Sequence, residues 1–141
     1  MVDINMAQKL LKEGNLRLVI VKNGQVLFKS KDRGIEPMYM AVTKKGQELK
    51  GAVVADKVIG RAAAMLCKYI DATEIYAELM SQNAVDVLEK ESKINISYKT
   101  LVPFIKNREY TDMCPIEKLS LKVANVEELI IGIKEFLNTR Y

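Results

Sequence analysis

The stretch GAVVADKVIGRAAAMLCKYI, residues 51–70, constrains the fold of this chain more than any other part of it. Gly51-Ala-Val-Val-Ala55 is a short unbroken apolar run, the pattern of a strand covered on both faces. It passes without a spacer into a segment whose apolar residues recur at helical spacing. Val58, Ala62, Met65 and Tyr69 share one face, and Ile59, Ala63, Leu66 and Ile70 share the next. The spacing predicts a buried strand feeding a helix that starts at Asp56 and is covered on more than one side. The alternation then repeats. Glu74–Met80 has strand character, Ser81 is placed to cap a helix through Glu89 with Ala84, Val85 and Leu88 inward, and Ile94–Thr100 is a further β run. Strands alternating with helices imply right-handed crossovers and a parallel portion of sheet.

The flanks complete the architecture. Asp3 precedes an amphipathic pattern of Ile4, Ala7, Leu10 and Leu11, with Gly14 as its stop. LRLVIVKNGQVLFKS holds two β-rich runs joined by Asn23-Gly24, a pair that accepts the positive φ angles of a tight hairpin turn. Pro37 suits the first turn of a helix over Glu36–Lys45, with Gly46 near its end. Asn125 and Glu128 form a cap before the stripe Val126, Leu129, Ile130, Ile133, Phe136 and Leu137. The predicted order is helix, hairpin, helix, strand, helix, strand, helix, strand, long loop, helix. This is an α/β chain, a three-layer α/β/α sandwich with a mixed sheet. No repeat or linker divides it, so residues 1–141 are expected to form a single domain.

What the chain lacks excludes much chemistry. It has no histidine, which removes Ser-His-Asp and Cys-His catalysis and every His-ligated zinc site. Its two cysteines, Cys67 and Cys114, do not make a four-thiolate site or a disulfide framework. No Gly-rich phosphate loop and no clustered Asp/Asn loop occurs, so neither a metal nor a cofactor is expected. No apolar run spans a bilayer and the N-terminus has no signal-peptide core, so a cytoplasmic location is expected. The net charge is +4, and residues 1–50 carry ten Lys/Arg against five Asp/Glu. These cations alternate with acids and lack interleaved aromatics. They are read as a solvated surface, and nucleic acid is not an expected partner.

Three places remain where chemistry is conceivable. The first is Asp56-Lys57 with Gly60-Arg61, at the expected strand-to-helix junction, where open α/β sheets bind ligands and a helix N-terminus favours an anion. On one helix, Lys57 and Arg61 would share a face and grip a phosphate or carboxylate together. Gly60 admits a close approach. The alternative is that Asp56 is a cap, Gly60 a packing contact and the two cations solvated. The second is TDMCPIEKL, residues 111–119. Pro115 fits a first helical position and Glu117 its first turn, which puts Cys114 at a helix N-terminus, where a thiol pKa falls, with Arg108 as the cation placed to assist. The alternative is a small half-buried residue before a proline. The third is the loop 103–112, with Arg108, Tyr110, Thr111 and Asp112, which either closes over a ligand or is only a loop. Cys67 belongs to the core.

Three stretches, LVIVKNGQVLFKSKDRGIEPM, VVADKVIGRAAAML and MCPIEKL, resemble a small bacterial domain-of-unknown-function family with a cytidine-deaminase-like fold. The resemblance implies a mixed sheet with helices on both faces and a pocket at the helix N-termini. It favours Asp56, Lys57, Arg61 and the segment from Met113 to Glu117 as site residues. Deaminases carry H/C-x-E at one helix start and P-C-x-x-C at the next. Here the corresponding stretches are taken as Ala55-Asp56-Lys57 and Ser81-Gln82-Asn83, so zinc-dependent deamination is not expected. Two functions follow: binding of a small anionic ligand of nucleotide or nucleoside type at the junction, or a metal-free reaction with Cys114 as nucleophile. A homodimer built on an apolar helix face is a further expectation.

Overall fold

The computed structural model describes residues 2–90 and 93–139. Helix α1 (Asp3–Glu13) leads into the hairpin β1 (Leu18–Lys22) and β2 (Gln25–Ser30), then α2 (Glu36–Lys45). β3 (Val53–Ile59), α3 (Arg61–Tyr69), β4 (Glu74–Ser81), α4 (Gln82–Glu89) and β5 (Asn95–Val102) alternate as expected. α5 (Pro115–Lys122) and α6 (Val126–Thr139) follow. The sheet runs β2-β1-β3-β4-β5. β1 is antiparallel to both neighbours, whereas β3, β4 and β5 are mutually parallel.

Two cores sandwich this mixed sheet. On one face Ala7, Leu11 and Leu16 of the N-terminal helix and its turn cover Val19, Val21, Val53 and Ala55. On the other, α2 to α6 cover Leu18, Ile20, Val54, Ile75, Ala77 and Met80. α3 is buried on several sides, with Ala62, Ala63, Ala64, Leu66 and Cys67 all enclosed.

The local signals act as chemistry dictates. Asn23 and Gly24 adopt φ angles of 51° and 77°, and the Asp3 carboxylate accepts both of their N–H groups at 2.9 Å, tying the turn to α1. The Ser81 hydroxyl accepts the Ala84 N–H at 3.1 Å. Asn125 accepts the Glu128 N–H at 2.9 Å, while Glu128 accepts the Ala124 N–H at 2.7 Å. No described helix is long and apolar enough to cross a membrane.

Two expectations are corrected. The helix does not begin at Asp56: β3 continues through Asp56, Lys57 and Val58 to Ile59, and Gly60 is the boundary. Asp56 is paired with Leu18 on one side and Ala77 on the other, and Val58 with Leu79, so two flanking ladders hold the segment extended. The second correction is to the element order, which had a long loop here: α5 is a helix of two turns that begins at Pro115, as the TDMCPIEKL stretch indicated.

Candidate functional site

β3 and β4 are parallel neighbours, so α3 and α4 begin side by side at one edge of the sheet. A helix start presents unpaired N–H groups and a positive dipole end. The chain fills this seat itself. Glu117, in the first turn of α5, is 2% exposed. Its Oε1 accepts the Arg61 N–H at 2.6 Å and faces the Ser81 hydroxyl at 3.5 Å, while Oε2 accepts the Ile105 N–H at 2.6 Å. Through Ser81, which accepts from Ala84, one carboxylate ties the starts of α3 and α4 to the segment after β5.

Gly60 makes this approach possible. A Cβ there would lie 2.9 Å from Glu117 Oε1 and 3.0 Å from Ile105 Cγ1, while its φ of −96° is open to any residue. Space, not backbone freedom, requires the glycine. Gly60→Ala is expected to lower stability by about 1–3 kcal/mol, because neither neighbour is a flexible chain end; urea unfolding followed by circular dichroism measures it.

The other expected site residues are dispersed. Lys57 stands on β3, so no helical face shared with Arg61 forms, and its Nζ donates to Glu78 Oε2 at 2.9 Å. The Arg61 side chain donates from Nη1 to the Ser120 carbonyl and to Met65 Sδ, fastening α5 against α3. Asp56 is half-buried on β3, its Oδ1 accepting the Val58 N–H at 3.3 Å. Burial pushes its carboxyl up from 3.8 to about 7; the Val58 N–H, the Arg17 charge and the Lys57 N–H oppose this only in part.

Cys114 is the boundary residue of α5 and is half-buried against the core. Its N–H donates to the Ile105 carbonyl at 2.8 Å. Arg108 is exposed in a turn organised by Asn107, whose side chain accepts from the Thr111 N–H at 3.0 Å and donates to its hydroxyl at 3.1 Å. Among the described residues no hydrogen bond or ion pair links Arg108 to Cys114. Met113 is half-buried, its N–H held by the Asp112 carboxylate, and Asp112 in turn pairs with Lys118. Cys67 is fully buried, and its thiol is pushed far up by burial first and by the Asp56 charge second. Iodoacetamide is therefore expected to label Cys114 alone in the folded protein and both thiols only after denaturation, as read by mass spectrometry.

A zinc ion does not fit the two helix starts. With β3 extended, the first is Gly60-Arg61-Ala62 and the second Ser81-Gln82-Asn83, with no imidazole or thiol in either. Glu117, the carboxylate between them, has both oxygens occupied by N–H donors. Among the described residues no three Cys, Asp or Glu side chains converge as a metal cluster would need.

Beside the junction, along the outside of α3, runs an open groove of about 350 Å³. It is lined by Arg61, Met65, Lys68 and Tyr69 of α3, by Val87 and Lys90 at the end of α4, and by Val126 at the start of α6. Lys68 Nζ donates to the Lys90 carbonyl at 2.8 Å.

Residues 6–137 match the family TM1506, described as a domain of unknown function, DUF1893. The chain belongs to this family. It is similar to the crystal structure of a DUF1893 family protein, TM1506 from Thermotoga maritima, with a TM-score of 0.83 and 29% identity over 94% of this chain and 88% of that one. Two deaminase structures are similar more weakly. A structure from work on tRNA:A34 deaminases has a TM-score of 0.46 and 16% identity, over 69% of this chain and 88% of that one. The dCMP deaminase of the cyanophage S-TIM5 has a TM-score of 0.49 and 11% identity, over 67% and 92%. Likenesses at this level assign this chain no substrate. No curated protein matches it.

The MCPIEKL stretch thus contains Glu117, the residue that closes the junction. An acid in a first turn after Pro115 was visible in the sequence. Its partners, 56, 36 and 12 positions away, were not.

Proposed function

We propose that this chain is a zinc-independent binding module on a deaminase-like scaffold, and that it takes a small anionic ligand of nucleotide or nucleoside type. The ligand seat is the groove that starts at Arg61, not the junction itself. The observation that carries this reading is the distribution of charge. The junction's anion position is taken by Glu117, whereas the adjoining groove is bordered by Arg61, Lys68 and Lys90 with no carboxylate among its described lining. Cations flanking an apolar floor and an exposed ring are what a phosphate-bearing aromatic molecule needs.

Thermal-shift screening of nucleotides tests it. Phosphate-bearing nucleotides are expected to raise Tm, with about 2.7 kcal/mol of added stability at a hundredfold excess over Kd. Lys68→Ala is expected to weaken the effect. If no phosphate-bearing ligand moves Tm, the reading is wrong.

Cys114 supports a second reading, a metal-free reaction at this thiol, because it is half-buried at the start of α5 while Cys67 is sealed. Its alkylation near neutral pH would then outpace that of a free model thiol; an equal rate removes this reading.

A further inference from the structure

Arg61, Met65, Lys68 and Tyr69 stand at i, i+4, i+7 and i+8 on α3, so they form one stripe two turns long. At 1.5 Å per residue, Arg61 and Lys68 are separated by about 10 Å along the helix. The groove is therefore cationic at both ends. Arg61 marks the end next to the junction. At the other end, the Lys68 ammonium donates to the Lys90 carbonyl, which brings two lysines together. One of the three ammonium donors of Lys68 is used there. None of the described ion pairs engages Arg61, Lys68 or Lys90. On α4, Asp86 accepts from Gln82 Nε2 at 2.8 Å. Between the ends the floor is apolar, made by Met65, Val87 and Val126, and Tyr69 lies half exposed at the Lys68 end.

We infer that this groove binds an elongated small molecule with an anionic group at each end and an apolar or aromatic middle. The inference rests on the binding-module reading above and narrows its ligand. Arg61 reaches along its end of the stripe, its Nη1 3.4 Å from Met65 Sδ, and a ligand with a single anion leaves the cations of the other end unmatched. The groove's volume of about 350 Å³ lies at the lower end of the range that holds small ligands.

A rigid probe series tests this: biphenyl-4,4′-dicarboxylate, biphenyl-4-carboxylate and terephthalate, titrated into the ¹⁵N-labelled protein. The biphenyl dicarboxylate is expected to shift the amides of Met65, Lys68, Tyr69 and Val87 saturably. It should bind about fivefold more tightly than the monoacid, the gain from one partly exposed charge contact. Lys68→Gln, which keeps a donor for the Lys90 carbonyl, and Lys90→Gln should each remove that advantage, while Lys99→Gln on β5 should not. Equal affinity for the diacid and the monoacid, or unchanged discrimination in both lysine variants, overturns the two-ended class. If neither acid binds, the inference also fails. The nucleotide thermal shift then decides separately whether the binding-module reading stands.

Discussion

Replacing Glu117 with alanine lowers the folding free energy by about 3–5 kcal/mol, more than any other single change at the junction. The reason is what the substitution strands. The N–H groups of Arg61 and Ile105 lose their acceptor, and the Ser81 hydroxyl loses the oxygen it faces, all in a site from which Glu117 itself is 98% withdrawn from water, being only 2% exposed. Each buried polar group left unpaired costs about 1–3 kcal/mol. Glu117→Gln separates charge and geometry from bulk. Its amide has one oxygen, so its NH₂ must point at either the Arg61 or the Ile105 N–H, setting donor against donor. Glutamine is thus expected to recover the volume but not the tie, at a cost of about 2–3 kcal/mol. Urea unfolding by circular dichroism measures both. A loss below about 1 kcal/mol for the alanine variant would mean that water satisfies these donors and that Glu117 does not hold the junction.

The second large effect has the opposite sign. Asp56→Asn stabilises the protein at neutral and higher pH. The Asp56 carboxyl is raised by burial from 3.8 to about 7, so between those values the folded state keeps a proton that the unfolded chain has lost. Stability therefore falls as pH rises from about 4 to about 7 and is flat above, because the native state binds more protons throughout that window. A shift of this size corresponds to about 4 kcal/mol at the limit. Residual solvent access at this half-buried residue reduces the expected effect to about 2 kcal/mol. Asparagine has nearly the same shape, can still accept the Val58 N–H, and does not titrate. Urea midpoints measured from pH 4 to pH 8 should decline in the wild type and stay level in the variant. A wild-type midpoint that rises over that range would show Asp56 ionised and paired in the folded state.

Both effects sit where sequence patterns are least informative. The Asn23-Gly24 turn was legible because its requirement, positive φ at two adjacent residues, is local. So were the Ser81 and Asn125 caps, whose partners lie three residues away. The parallel run of β3, β4 and β5 followed from the alternation of β and α patterns. The end of β3 did not, since the same apolar spacing from Val58 to Tyr69 suits a helix, and only the ladders to β1 and β4 hold Asp56–Ile59 extended. That one displacement moved Lys57 off the helix and into an ion pair with Glu78. Gly60 was singled out as a place of close approach by a ligand, whereas what lies against it is the chain's own Glu117 and Ile105. The groove was invisible for a similar reason. Its lining comes from three helices, and Lys68 and Lys90 meet only because α3 and α4 run side by side.

The central claim is that the anion seat at the start of α3 is filled by the chain's own Glu117, leaving the outer groove to bind ligands. The most direct test is a titration of the ¹⁵N-labelled wild type with inorganic phosphate, following the Arg61 and Ile105 amides. Both are expected to hold the downfield positions of N–H groups bonded to a carboxylate and to ignore phosphate, while the Lys68 and Tyr69 amides move. Saturable displacement of the Arg61 and Ile105 resonances by phosphate would show the seat open to outside anions and would contradict the account.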